Sequence, residues 1–139
     1  MLIPFQSWHM EDLPLTDRVR AHLGAGSRTA LESLAARNLA YTIIAESGAG
    51  SVRVVGVAGA LPLADATVAE VFVIAAADCS MWRVEFAKSV RQILDHARKH
   101  FARIEAVADA GVSARWFEFL GFKPVGESAP DRWAMEGKT

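Results

Sequence analysis

A chain of 139 residues is one domain's worth and long enough to bury a core without staples. Its 52% hydrophobic and 22% charged content excludes disorder, and a net charge of −1 leaves no field to gather nucleic acid or an anionic membrane surface. The single cysteine, Cys79, excludes an internal disulfide and a four-cysteine metal site, and no run reaches the roughly 20 apolar residues that span a bilayer. The opening Met1-Leu2-Ile3-Pro4 has neither the basic nor the apolar region of a secretory leader, so the expectation is a protein of the cytoplasm.

In chain order, Leu2 to Phe5 reads as a short strand limited by Pro4. Thr16 is a good N-cap for a helix from Asp17 to Leu23, with Gly24 as its stop. A second helix begins at Ser27 or Thr29. Thr29 and Glu32 have capping-box spacing, and Leu31, Leu34 and Ala35 form the buried stripe. Ala40 to Ala45 alternates Tyr41 and Ile43 against Thr42 and Ile44, a strand pattern. Its hairpin partner, Val52 to Leu61, follows the turn Ser47-Gly48-Ala49-Gly50-Ser51. Gly56 and Gly59 within that partner predict a bulge or a close backbone approach.

The organising stretch runs from Ala69 to Phe122. Val68 to Ile74 is an almost continuous apolar run, as for a strand covered on both faces. From Met81 to Phe101, Trp82, Phe86, Val90, Ile93, Leu94, Ala97 and Phe101 recur at steps of three and four, one buried stripe of a long helix. Arg103 to Ala108 is the next strand, and the two strands with their helical crossover predict a parallel pair. A short helix from Ser113 to Leu120 follows, with Trp116 expected in the core. Lys123 to Ser128 and Arg132 to Met135 read as two last strands joined around Pro130-Asp131. No repeat or linker interrupts the chain, so residues 1–139 read as a single α/β (α+β) domain.

The final helix ends in Leu120-Gly121-Phe122. In the order of elements around it, this resembles the last conserved segment of the GNAT acyl-CoA N-acyltransferases. The resemblance implies a GNAT-like mixed central sheet with a parallel strand pair joined by a long helix. It also implies an acyl-CoA site whose pyrophosphate lies on a glycine-rich turn before that helix, where backbone N–H groups meet the anion. Here that stretch, Ala75 to Phe86, contains no glycine, and Asp78 and Glu85 repel phosphate. Arg83 and the helix dipole remain. A second departure is at Phe117, which stands where many members of the family carry a tyrosine that protonates the leaving thiolate.

If the chain is active, the resemblance implies Glu70 as catalytic base. It then implies Val73, Ile74, Ala75 and Arg83 as cofactor-binding residues, with acetyl-CoA or another acyl-CoA as cofactor. The plainer reading of Glu70 is a glutamate on an exposed strand face or paired with an arginine. Cys79 reads as an inert loop thiol. His96 and His100, one helical turn apart beside Arg98 and Lys99, complement the end of the helix dipole rather than bind metal, so no metal site is expected.

Trp8 and Trp82 are candidate interaction anchors. Trp82 either folds into a vacant cofactor cleft or packs against another chain. The Asp17-Arg18-Val19-Arg20 segment, the bulky Trp82 turn and Arg115-Trp116-Phe117 also resemble GNAT-like phage and prophage proteins, internal or tail-associated. On that resemblance the leading expectation is a non-catalytic phage-type structural or interaction protein without cofactor. It would sit in the host cytoplasm and be incorporated into a virion, with other protein chains or itself as partner and with no nucleic acid or membrane span. The alternative is a divergent acyl-CoA-dependent N-acyltransferase.

Overall fold

The computed structural model describes residues 1–11, 27–46, 50–76, 82–107 and 114–138. The expected helix from Asp17 to Leu23 and Cys79 lie outside the described residues. So do Met81 and Asp78 of the turn before the long helix. The elements are β1 (Leu2–Pro4), a 3-10 turn (Ser7–Met10), α1 (Ser27–Ala36), β2 (Ala40–Glu46), β3 (Val52–Pro62) and β4 (Val68–Ala75). They continue with α2 (Arg83–His100), β5 (Arg103–Val107), α3 (Ala114–Leu120), β6 (Lys123–Gly126) and β7 (Ala129–Glu136). The strands run in the order β1-β2-β3-β4-β5-β7-β6. β4 and β5 are parallel neighbours joined through α2, as the crossover length predicts. The fold is a mixed α/β sheet with helices. Its residues group into two compact units, Met1–Gly59 with Val73–Ile93, and Ala60–Phe72 with Leu94–Thr139.

The first unit is built on the antiparallel β2–β3 hairpin, where Thr42 to Ala45 and Val54 to Gly59 are all buried. The alternation of Tyr41 and Ile43 against Thr42 and Ile44 therefore does not mark an exposed face; only Tyr41 of the four is half-exposed. The ladder slips between Ile43, opposite Gly56, and Ile44, opposite Val54, so Val55 is an extra residue on β3. Gly56 answers its sequence reading. A Cβ there would stand 2.9 Å from the Phe86 ring and 3.1 Å from the Ile74 carbonyl oxygen, so only glycine lets α2 and β4 approach β3 this closely.

Two buried polar groups in this unit satisfy each other. The His9 Nδ1 lies 2.7 Å from the Thr42 Oγ1 and accepts from the Gln6 backbone N–H at 3.1 Å. A backbone N–H can only donate, so Nδ1 is the bare nitrogen, the Thr42 hydroxyl donates to it, and the ring proton of the neutral imidazole sits on Nε2.

In the second unit, Ile104, Ala106, Trp133 and Met135 form the buried face of β5 and β7. Leu94, Ala97 and Phe101 of the α2 stripe and Phe117 and Phe122 beside α3 are the apolar groups buried with them. Asp65 accepts from both the hydroxyl and the backbone N–H of Thr67, and these bonds hold its carboxyl below the usual range.

Three sequence expectations are corrected here. β4 is not covered on both faces: Ala69 is fully buried, but Val68 and its other residues are half-buried and Val73 is 38% exposed. An apolar run reports hydrophobicity, not cover, and β4 has a ladder on β5 only over Val68 to Glu70. Trp116 is half-buried rather than core, stacked on Phe119, while Phe117 takes the core position against Trp133. The last turn falls at Glu127-Ser128, and Pro130 and Asp131 lie inside β7. β5 stops pairing with β7 at Arg132, so the missing N–H of Pro130 removes no bond from that ladder.

Candidate functional site

Residues directly opposite in a ladder share a face, so the registers of the second unit can be read across the strands. Glu70 is opposite Glu105, Glu105 is opposite Ala134, and Ala134 is opposite Lys123. Two rungs away, on the same face, Val68, Arg103 and Glu136 form a parallel row. This face is the reverse of the buried Ile104-Ala106-Trp133-Met135 face, and its residues are half-buried or exposed.

The two carboxylates of the first row are in different situations. Glu105 is committed: the Arg103 Nε donates to its Oε1 at 3.1 Å, and the Arg132 Nη1 lies 3.9 Å from its Oε2. Glu70 has no hydrogen bond or ion pair among the described residues. It is half-buried, at the last rung of the β4–β5 ladder, beside a carboxylate that is already neutralised. A carboxylate so placed is able to accept a proton from a substrate.

Val73, Ile74 and Ala75 continue β4 in the first unit. The Ala76 N–H donates to the Val55 carbonyl on β3 at 2.9 Å. Main-chain polar groups alternate along a strand, so those of Val73 and Ala75 point to the opposite edge. Among the described residues no ladder partner occupies that edge of Val73 to Ala75. It offers N–H and C=O groups to an extended ligand in the manner of an added strand. Arg83 is exposed in the first turn of α2, with Glu85 two residues on.

Trp82 precedes that turn, half-buried, with the Arg53 guanidinium 5.3 Å from its ring centroid. The bulky residue at the helix start is thus held by a cation on β3. Trp8 is 53% exposed; its Nε1 donates to the Gln6 Oε1 at 2.7 Å, and its ring meets His9 edge-on. Phe117, at the tyrosine position of the resemblance, is buried. It stacks on Trp133 at 5.2 Å and meets Phe122 edge-on at 5.9 Å, so this position belongs to the core.

His96 and His100 bring their ring centroids within 4.6 Å at the end of α2. Among the described residues no cluster of three or more His, Cys, Asp or Glu is arranged to hold a metal ion, and no helix is long and apolar enough to cross a membrane.

Sequence reasoning names Glu70 as a candidate but does not reach Glu105 as its neighbour or Arg103 as the partner of Glu105. The signal was present in the alternation of Arg103, Glu105 and Val107 against Ile104 and Ala106; what it lacked was the register.

No protein-family model and no curated protein matches the chain. Solved structures do. A GNAT-family acetyltransferase from Bacillus anthracis superposes with a TM-score of 0.65 at 14% identity, over 97% of this chain and 93% of its own. A GNAT-family acetyltransferase from Staphylococcus aureus gives 0.64 at 12% identity over 98% of each chain. An aminoglycoside 6'-N-acetyltransferase in complex with coenzyme A gives 0.61 at 15% identity, over 98% of this chain and 96% of its own.

These matches correct the leading sequence expectation. The neighbours that share the whole architecture are acetyltransferases, not phage structural or virion proteins. The Asp17-Arg18 and Arg115-Trp116-Phe117 resemblance rested on short motifs with no chemistry of their own. At these identities the likeness is one of architecture: the chain has a GNAT-like acetyltransferase fold.

Proposed function

We propose that the chain is a divergent acyl-CoA-dependent N-acyltransferase with Glu70 as its general base. The observation that carries this reading is the position of Glu70. It is the one carboxylate of its row without an ion pair among the described residues, at the rung where the β4–β5 ladder ends. The acceptor is a primary amine or ammonium group. Glu70 takes its proton, directly or through one water, and leaves a nitrogen lone pair able to attack an acyl carbon. Glu105, paired with Arg103, leaves Glu70 as the carboxylate of this row that can meet a cationic acceptor.

Coenzyme A supplies the acyl group as a thioester when bound. The unpaired edge of Val73 and Ala75 fits the amide-bearing pantetheine arm, as an extended segment pairing with a strand. Arg83 and the N-terminal end of α2 are the groups left to meet phosphate charge. No glycine lies between Gly59 and Gly111, so the stretch before α2 lacks the residue type that lets a backbone close on an anion. Phe117 has no proton to give, so water protonates the coenzyme A thiolate released as the C–S bond breaks.

Replacement Glu70→Gln keeps the shape and removes the base. The expected outcome is a fall of about 100-fold or more in kcat for amine acetylation, with acetyl-CoA binding unchanged. Measured turnover that survives Glu70→Gln would assign the proton to another group.

A further inference from the structure

A second site lies in the second unit, at the end of β5 away from Val107. A pocket of about 540 Å³ also exists in the first unit around Ile3, Trp8 and Val54, but of its polar residues His9 is bonded to Thr42 and Arg53 lies over the Trp82 ring. The pocket in the second unit, about 400 Å³, is different: Arg98, Arg103 and Lys123 line it over Pro124, Val125 and Met135. Small-molecule sites have volumes of about 300–1,000 Å³ with an apolar floor and a few convergent polar groups.

Two features separate this pocket from an ordinary solvated surface. Both guanidiniums are anchored through Nε alone: Arg98 donates to the Glu136 carbonyl at 3.0 Å, and Arg103 donates to Glu105 at 3.1 Å. An arginine held by Nε has its plane set in advance, and its Nη groups present a fork suited to oxyanions. Neither arginine has any other recorded partner among the described residues, and Lys123, exposed on β6, has none there. The second feature is the balance of charge. Glu136 is the only carboxylate among the residues lining the pocket, against three cations, of which Arg103 also carries Glu105 behind it.

We infer that this pocket binds a small phosphomonoester, with the phosphate held by Arg98, Arg103 and Lys123 and an apolar body on Met135, Pro124 and Val125. Phosphate suits the site better than carboxylate. Cations arriving from α2, β5 and β6 match a dianion with three terminal oxygens, whereas a carboxylate has two oxygens and one charge. The inference does not depend on the acyltransferase reading: Arg98 and Lys123 have no part in that reading, and Arg103 enters it only as the partner of Glu105.

The test is a titration of the full chain with inorganic phosphate, followed in ¹H–¹⁵N spectra at constant ionic strength set with chloride. Saturating shifts are expected at the amides of Gly121, Val125, Met135 and Glu136. Lys123→Ala should weaken binding about ten-fold, the loss of one charge-assisted contact. Glu136→Gln should tighten it by removing the opposing charge, and phenyl phosphate should bind more tightly than phosphate. Acetyl-CoA binding should be unaffected by Lys123→Ala. Shifts that rise linearly without saturation overturn the inference. So does a saturating curve indifferent to both Lys123→Ala and Glu136→Gln, which would place phosphate elsewhere on the chain.

Discussion

The β2–β3 hairpin and the β5–β7–β6 layer are built on opposite plans. In the hairpin almost every residue from Thr42 to Ala45 and from Val54 to Ala60 is buried, and its buried polar side chain, Thr42, is satisfied by His9. In the layer one face is apolar and the other carries Arg103, Glu105, Arg132, Glu136 and Lys123, half-buried or exposed, with β6 exposed throughout. The buried stretches of the hairpin do little besides hold its shape, because their side chains are packed or, at Thr42, hydrogen-bonded. The layer keeps charge in reach of solvent: its open face continues the row that begins at Glu70 on β4, and its Arg103, Lys123 and Glu136 line the cationic pocket. Substitutions in the two regions should therefore separate stability from any chemistry at the charged face.

The largest stability effect is expected from Ile43→Ala. Ile43 is fully buried in β2, and truncation should cost about 2–5 kcal/mol in denaturant unfolding. Val107→Ala, at a 43% exposed position of the layer, should stay within about 0.5 kcal/mol. Equal losses at the two positions would erase the contrast.

Gly56→Ala comes next. Its new methyl meets the Phe86 ring at 2.9 Å, which should cost about 1–3 kcal/mol and be partly relieved in the double variant with Phe86→Leu. An additive double variant would mean that the close approach of α2 to β3 is not what Gly56 serves.

Phe117→Tyr is the smaller and sharper case. Restoring the hydroxyl of the family resemblance puts it into a core packed by Trp133 and Phe122. Stability should fall by about 1–2 kcal/mol with no gain in acetyl transfer. A rise in turnover would show that position 117 reaches the reacting atoms after all.

Where physics is local, the fold was legible in the sequence. The period of Phe86, Val90, Ile93, Leu94 and Ala97 marks α2, and its length between two apolar runs requires a parallel pair. Gly56 announces a close approach because a strand keeps a glycine for little else. What could not be read was register and cover. Glu70 and Glu105 become neighbours only through the three-rung ladder, and no local pattern says that β4 stays half-exposed. Trp116 and Phe117 are adjacent on a short helix, and which of them enters the core depends on Trp133 from β7. The lack of glycine between Gly59 and Gly111 and the phenylalanine at position 117 are plain in the sequence. Taking them as loss of function gave too much weight to two motifs against an architecture shared, over nearly its whole length, with acetyltransferases.

The central claim is that this fold still takes an acyl-CoA without a glycine turn, through the unpaired edge of β4 and the start of α2. Calorimetric titration of the full chain with acetyl-CoA tests it most directly. The account predicts a saturable single-site isotherm, tighter than about 1 mM, or more than about 4 kcal/mol of binding free energy. Arg83→Ala should weaken it and Lys123→Ala should leave it alone. Absence of saturable heat at millimolar acetyl-CoA would contradict the account.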